Sequence, residues 1–172
     1  MRVISGKYKG KNLDGFNING TRPTMDRVKE SLFAMIFNNL ENSVCLDLFA
    51  GSGSLGLEAL SNGAKECYFI DNNKEVIKVL EKNLKDVVGT KIIKMDYQKF
   101  LNNTTQKFDI IFLDPPYHEN KLNNAIKIIM EKNLLNDNGI LICEYEEGKV
   151  ICDYKLVKSK KYGPKIIEIY LK

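Results

Sequence analysis

The chain has 172 residues, 28% of them charged, four cysteines and a formal net charge of +4; a single domain of this size buries roughly two-thirds of its unfolded surface and needs no disulfide or metal staple. Cys45, Cys67, Cys143 and Cys152 show no CxxC spacing, and three of them lie in apolar runs of strand type, which argues against zinc and for buried thiols in a reducing cytosol. The N-terminus has no signal-peptide core and no apolar run approaches the roughly 18 residues of a membrane span, so the expectation is a soluble, cytoplasmic, monomeric protein without a metal.

Charge is distributed unevenly from the start of the chain. Residues 1–29 hold seven of the 26 Lys and Arg (Arg2, Lys7, Lys9, Lys11, Arg22, Arg27 and Lys29) against two of the 22 acids, Asp14 and Asp26. A smaller basic cluster near the C-terminus collects Lys155, Lys158, Lys160, Lys161 and Lys165. One-ended basicity suits a phosphate-rich partner, because each cation that meets a phosphate releases a counterion. A solvated surface in a Lys-rich chain accounts for the charge equally well.

In chain order, Arg2 to Ser5 and Lys11 to Leu13 are expected to pair as a short hairpin. Thr24 is placed to cap a helix carrying Val28, Leu32, Met35 and Ile36 on one face. Val44-Cys45-Leu46-Asp47 reads as a buried strand ending in an acid. A Gly-rich turn then leads into a helix from about Ser54 to Asn62, stopped by Gly63 in a left-handed conformation. Cys67 to Ile70 is a second buried strand ending at Asp71. An amphipathic helix with Val76, Val79, Leu80 and Leu84, a strand at Ile92 to Met95 and a helical turn near Tyr97 to Leu101 follow. Phe108 to Leu113 is the fourth strand, Leu122 to Lys132 a helix and Ile140 to Glu144 the fifth strand.

Strand and helix alternate five times, which predicts a parallel sheet with helices on both faces. Tyr154 to Lys158 and Ile166 to Leu171 break that rhythm, because Lys161-Tyr162-Gly163-Pro164 is too short for a parallel crossover. The expected fold is α/β, a Rossmann-like doubly wound sheet ending in an antiparallel hairpin, as in class I methyltransferases. Residues 1–40 form a hairpin-and-helix extension packed on a core of 41–172, the whole making one compact domain.

Gly51-Ser52-Gly53-Ser54-Leu55-Gly56 satisfies GxGxxG between a strand and a helix, where a side-chain-free backbone can approach a ligand and a helix offers unpaired N–H groups. Asp71, with Asn72 beside it, lies at the tip of the next strand, where a carboxylate can accept both ribose hydroxyls of an adenosine. These features suit NAD and S-adenosylmethionine alike. Asp47, two residues before Phe49, favours the methyl donor, since an acid there could hold a cationic methionine moiety and would repel a pyrophosphate. Asp96 and Tyr97 follow the third strand, where an adenine would lie. Loop capping is the alternative role for Asp47 and Asp96.

The fourth strand delivers Asp114-Pro115-Pro116-Tyr117 to its carboxyl end, and in a sheet of this order it neighbours the first strand across the switch point. An aromatic amine is a poor nucleophile while its lone pair is delocalised into the ring. Asp114 and the Pro115 carbonyl could each accept one amino hydrogen and so aim the lone pair at a sulfonium methyl. Pro116 lacks an N–H that would compete for the carboxylate, and Tyr117 would stack on the base. Positioning in line with the leaving sulfur could supply much of the acceleration, and no metal is required. His118 reads as a rim residue, because the amine can lose its proton after transfer.

The chain resembles the RsmD family, bacterial methyltransferases that modify guanine N2 in small-subunit ribosomal RNA. The likeness is carried by Met1 to Gly10, by Arg22-Pro23-Thr24-Met25-Asp26-Arg27-Val28-Lys29-Glu30-Ser31-Leu32-Phe33, by Leu46 to Gly53, by Asp114 to Tyr117 and by Lys161-Tyr162-Gly163. It implies methylation of guanine 966 of 16S ribosomal RNA within a small subunit or its assembly intermediate. It also implies RNA contacts through Arg2, Lys7, Lys9, Lys11, Arg22, Thr24 and Arg27, with Arg22 to Arg27 covering the cleft. One departure is the arm from Asn12 to Gly20, which is nearly devoid of positive charge. The rivals are an N6-adenine methyltransferase on DNA or RNA, a nicotinamide-dependent oxidoreductase, and a non-catalytic ribosome-assembly factor.

Overall fold

Seven strands form one sheet in the order β3-β2-β1-β4-β5-β7-β6. The computed structural model describes residues 1–15, 22–116 and 120–172. The elements run α1 (Arg22–Ile36), a 3-10 turn (Phe37–Asn39), β1 (Val44–Asp47), α2 (Ser54–Ser61), β2 (Glu66–Asp71), α3 (Lys74–Asn83), β3 (Thr90–Lys94), α4 (Tyr97–Asn103), β4 (Phe108–Leu113), α5 (Lys121–Glu131), β5 (Leu135–Tyr145), β6 (Lys155–Tyr162) and β7 (Lys165–Leu171). The first five strands are parallel, and β7 inserts antiparallel between β5 and β6. The expected doubly wound sheet with a terminal hairpin is therefore the observed one.

Alternation along the strands divides the core between two faces. Cys45, Cys67, Phe69, Ile110 and Phe112 pack with residues of α1, α2 and α3, whereas Leu46, Ile70, Ile111 and Leu113 pack with α4 and α5. The central strands β1, β2 and β4 are thus apolar on both sides, as a sheet covered by helices on both faces demands. The cysteines are free thiols, three of them buried. Burial pushes Cys45 up to about 12 and raises Cys67 and Cys143 well above the usual thiol range. They stay protonated and serve as small core residues.

Four local expectations are corrected. The opening hairpin pairs only as far as Val3: an antiparallel bridge joins Arg2 with Asn12, flanked by Val3 N–H to the Lys11 carbonyl and Leu13 N–H to the Met1 carbonyl, while Ile4 and Ser5 turn their N–H groups to Glu58 on α2. Thr24 does not precede the first helix, which already begins at Arg22; Pro23 falls in the first turn, where a missing N–H costs no helical bond. β5 starts at Leu135, five residues before Ile140, and a register shift opposite Phe108 and Ile110 absorbs Asn138 at φ 62°. The terminal turn tightens to Gly163-Pro164, with Tyr162 paired to Lys165.

The N-terminal segment is moored to α2 by a polar knot. Glu58, fully buried, accepts the backbone N–H groups of Ile4 and Ser5 and the Ser5 hydroxyl. Lys7 N–H donates to the Ser61 carbonyl at 2.7 Å. Gly6, at φ +76°, approaches so closely that a Cβ there would lie 1.8 Å from the Ser61 carbonyl oxygen. On α3, Asn83 donates to the carbonyls of Asp14 and Ser52 at 2.9 Å each, joining this segment to the Gly-rich loop.

Candidate active site

The carboxyl ends of β1, β2, β4 and β5 and the start of β7 open into a cleft of about 650 Å³, within the size range of small-molecule sites. β1 and β4 are hydrogen-bonded neighbours, with Asp47 paired to Phe112. That pairing sets the Gly-rich turn after β1 beside Asp114 after β4. Phe49, Gly51, Asp71, Asn72, Asp96, Tyr97, Asp114, Pro115 and Pro116 all line the cleft.

The three glycines of the motif do different work. Gly51 lines the cleft, and the nearest atom a Cβ there would meet is the Phe49 carbonyl oxygen at 3.9 Å. Gly53, at φ +78°, is the cap of α2 and has Leu80 Cδ1 within 2.5 Å of an added Cβ. Gly56 lies against Phe69 and Cys67, at 2.3 and 2.7 Å from an added Cβ. Gly53 and Gly56 therefore let α2 lie close on its neighbours, and only Gly51 belongs to the cleft wall.

Asp47 is buried beneath the turn and accepts the Gly56 N–H at 3.0 Å. Burial pushes its carboxyl up to about 7, against the Gly56 hydrogen bond and with a contribution from Asp71. It fastens the start of α2 to the tip of β1 and is not part of the cleft lining. Asp71 accepts the N–H groups of Asn73 at 2.9 Å and Gly51 at 3.3 Å, holding the loop while it faces the cleft. Asp96 caps α4 through Gln98 and Lys99, so the capping role is real, and it stands on the cleft wall as well. Tyr97 and Phe49 pack with ring centroids 5.1 Å apart, forming an aromatic floor beneath that wall.

Asp114 is half-buried and Pro115 buried. Desolvation pushes the Asp114 carboxyl up to about 8, Glu144 raising it further and Lys165 opposing. Tyr117 and His118 lie outside the described residues.

Several lining residues carried no signal of a site role in the sequence, although Val28 and Leu32 were legible as the apolar face of the first helix. Asp26, Val28, Lys29 and Leu32 come from α1, Glu144 from the end of β5, Glu146 from the segment after it, and Lys165 from β7. Among the described residues, Asp26 Oδ1 is the buried side-chain oxygen without a hydrogen-bond partner. The C-terminal hairpin reaches α1 through Tyr162, whose hydroxyl donates to Ser31 Oγ at 2.7 Å. Only folding brings these chain-distant groups together, although an i, i+3 stripe on α1 is legible once that face is known to meet the cleft.

Of the basic residues near the two ends of the chain, Lys29 and Lys165 line the cleft, and the described candidate RNA contacts lie outside it. Lys7, Lys9 and Arg27 are exposed, the Arg2 side chain is 66% exposed with Nε 3.6 Å from Asp26 Oδ2, and Lys11 donates to the Lys85 carbonyl. The side chains of Arg22 and Thr24 and the arm from residue 16 to 21 lie outside the described residues. Edge strand β6 exposes Lys155, Lys158, Lys160 and Lys161.

A seven-stranded sheet of this order, with its cleft at the switch between β1 and β4, defines a class I methyltransferase fold. The family model described as "Conserved hypothetical protein 95" matches residues 1–171. The chain is 39% identical to ribosomal RNA small subunit methyltransferase D of Haemophilus influenzae, over 95% of this chain and 89% of that one. Identity to the protein of the same name from Escherichia coli is 34%, over 99% and 89%. The solved structure of yhhF from Escherichia coli superposes with a TM-score of 0.89 at 29% identity, covering 100% of this chain and 97% of that one. The chain belongs to this family, the RsmD methyltransferases.

Proposed function

We propose that this protein transfers a methyl group from S-adenosylmethionine to the exocyclic N2 of a guanine in 16S ribosomal RNA, in the cytoplasm, on the small subunit or its assembly intermediate. Guanine 966 is the position the family resemblance suggests. The observation that carries the reading is the juxtaposition of Asp114 and Pro115 with the Gly-rich turn in one cleft.

The residues present fit the methyl donor. The cleft is lined by Asp26, Asp71, Asp96, Asp114, Glu144 and Glu146 against Lys29, Lys121 and Lys165, a balance that attracts a cation and repels a pyrophosphate. This favours S-adenosylmethionine over a nicotinamide dinucleotide. Asp71 would accept the ribose hydroxyls, Asp96 would accept from the adenine amino group beside Tyr97, and the unpartnered Asp26 Oδ1 would take the methionine ammonium. When bound, the donor supplies an electrophilic sulfonium methyl.

The chain's own residues then make the amine a nucleophile. Asp114 and the Pro115 carbonyl each accept one hydrogen of the base amino group, which turns the nitrogen lone pair out of conjugation and along the line to the methyl. With the donor bound, the N–C bond would form as its C–S bond breaks, and the methylated amine would then pass its extra proton to the Asp114 carboxylate or to water. Tyr117 would stack on the base. Residues 1–40, with Arg2, Lys7, Lys9, Lys11, Arg22, Thr24 and Arg27, would hold RNA phosphates, joined by the lysines of β6.

The test is methyl transfer from labelled S-adenosylmethionine to small subunits that lack the modification. N2-methylguanosine is expected on nucleoside analysis, with transfer abolished in Asp114→Ala. Label appearing as N6-methyladenosine would remove the guanine assignment, and failure to bind S-adenosylmethionine in calorimetry would favour the assembly-factor reading.

A further inference from the structure

Asp114 is not the only acid at its end of the sheet. Leu113 pairs with Cys143 in parallel register, so the next residues along, Asp114 and Glu144, end adjacent strands side by side. Glu144 pairs in turn with Ile167 of antiparallel β7, which starts at Lys165 on the same edge of the sheet. Lys165 Nζ forms an ion pair with Glu144 Oε1. Glu144 is 8% exposed, and the Glu144 and Lys165 side chains are 10% and 27% exposed. All three residues line the cleft.

Two carboxylates side by side in a desolvated place are costly, and an acid without a role there would be better replaced by an apolar residue. What the row offers is a sequence of hydrogen-bonding characters: acceptor from β4, acceptor from β5, donor from β7. The exposed edge of a guanine presents an amino donor at N2, an N–H donor at N1 and an acceptor at O6, in that order. Adenine presents an amino donor followed by a bare N1 lone pair, which a carboxylate would repel. A lysine has three hydrogens and a carboxylate two oxygens, so the Glu144–Lys165 pair can persist while each partner also contacts a base.

We propose that Glu144 and Lys165 read the guanine edge, Glu144 accepting from N1–H and Lys165 donating to O6, next to Asp114 at the amino group. This makes them specificity-determining residues, and it rests on the assignment of Asp114 to a guanine amino group given above. Among the described residues, Glu146 and Lys121 also line the cleft. Neither is on the strand ends that hold the three residues in a row.

The test compares small subunits reconstituted with either guanosine or 2-aminopurine riboside at the methylated position. The analogue keeps the amino group and loses both N1–H and O6. The full-length protein should prefer guanosine in kcat/KM by roughly 100-fold or more, the discrimination expected of paired hydrogen bonds to charged groups. Glu144→Gln, whose amide can turn its NH2 toward the bare N1 of the analogue, should shrink that preference by about tenfold or more, and so should Lys165→Met. Because each variant is judged by its own ratio of two substrates, intrinsic differences in amine reactivity and in folded fraction cancel. N2-methylguanosine formed with the same ratio in all three proteins would overturn the edge-reading role and leave the guanine assignment standing. Label on adenine instead would overturn both.

Discussion

Lys29 Nζ lies 3.0 Å from Glu58 Oε2, with side chains only 6% and 1% exposed. The pair ties α1 to α2, and the same ammonium donates to the Arg2 carbonyl at 2.7 Å and to Ser54 Oγ at 3.0 Å. One buried cation therefore gathers the N-terminal segment, the helix that forms one cleft wall and the first residue of α2. Removing one partner strands the other charge. Lys29→Met and Glu58→Gln should each lower stability by about 3–5 kcal/mol in urea unfolding, and the double variant should lose less than the sum.

Asp114 must be ionised to accept amino hydrogens, and burial with Glu144 holds its carboxyl up at about 8 in the free protein. Activity that needs the carboxylate is lost as pH falls through that value. The profile of kcat/KM should therefore rise across pH 7 to 9, well above the range of an ordinary carboxylate. Glu144→Gln removes a like charge and should move the limb to lower pH; Lys165→Met removes an attractive one and should move it higher. A limb near pH 4 in the unaltered protein would contradict the burial of Asp114.

Asp47 gives a pH effect on stability of a different kind. Its folded-state value of about 7 lies above the unfolded one, so the folded state keeps a proton that the unfolded chain releases. Its contribution is most favourable below the unfolded value and is lost progressively as pH rises from about 4 to 7. Asp47→Asn should flatten the pH dependence of the urea midpoint across that window, since the amide oxygen can still accept the Gly56 N–H.

Gly56→Ala places a methyl into Phe69 and Cys67. A destabilisation of about 1–3 kcal/mol is expected from overpacking, together with weaker S-adenosylmethionine binding as α2 is pushed from β2. Asp71→Ala should weaken that binding by roughly 10- to 100-fold in calorimetry if its carboxylate accepts the ribose hydroxyls as proposed.

For RNA, Lys7→Ala and Arg27→Ala should each reduce the slope of log affinity against log salt by about 0.7 to 0.9, while leaving S-adenosylmethionine binding unchanged. Equal slopes in variant and unaltered protein would place the RNA elsewhere on the surface.

Strand–helix alternation, the Gly-rich turn and the acids at the ends of β1 and β2 were readable because they are local. An apolar run of five or six residues, a glycine that must turn and an Asp at a strand tip each carry their reason within a few neighbours. The Lys29–Glu58 knot was not readable: a Lys and a Glu on separate amphipathic helices look like solvated charges until the helices are packed. The opening segment was legible in part for a related reason: its first residues do pair with Lys11 to Leu13, yet Ile4 and Ser5 find their acceptor in Glu58, a residue 54 and 53 positions away.

By itself the sequence determined the order of elements, the parallel sheet with its terminal hairpin, and the presence of Asp114-Pro115-Pro116 at a strand end, since these follow from periodicity and turn chemistry. Only the tertiary structure decided which side chains share the cleft. It put Gly53, Gly56 and Asp47 into packing beneath the turn, left Gly51 and Asp71 on the wall, and brought Asp26, Glu144 and Lys165 to the same space from α1, β5 and β7. The reason is geometric: strand pairing sets register between residues up to dozens of positions apart, and no local pattern records which neighbour a strand will choose.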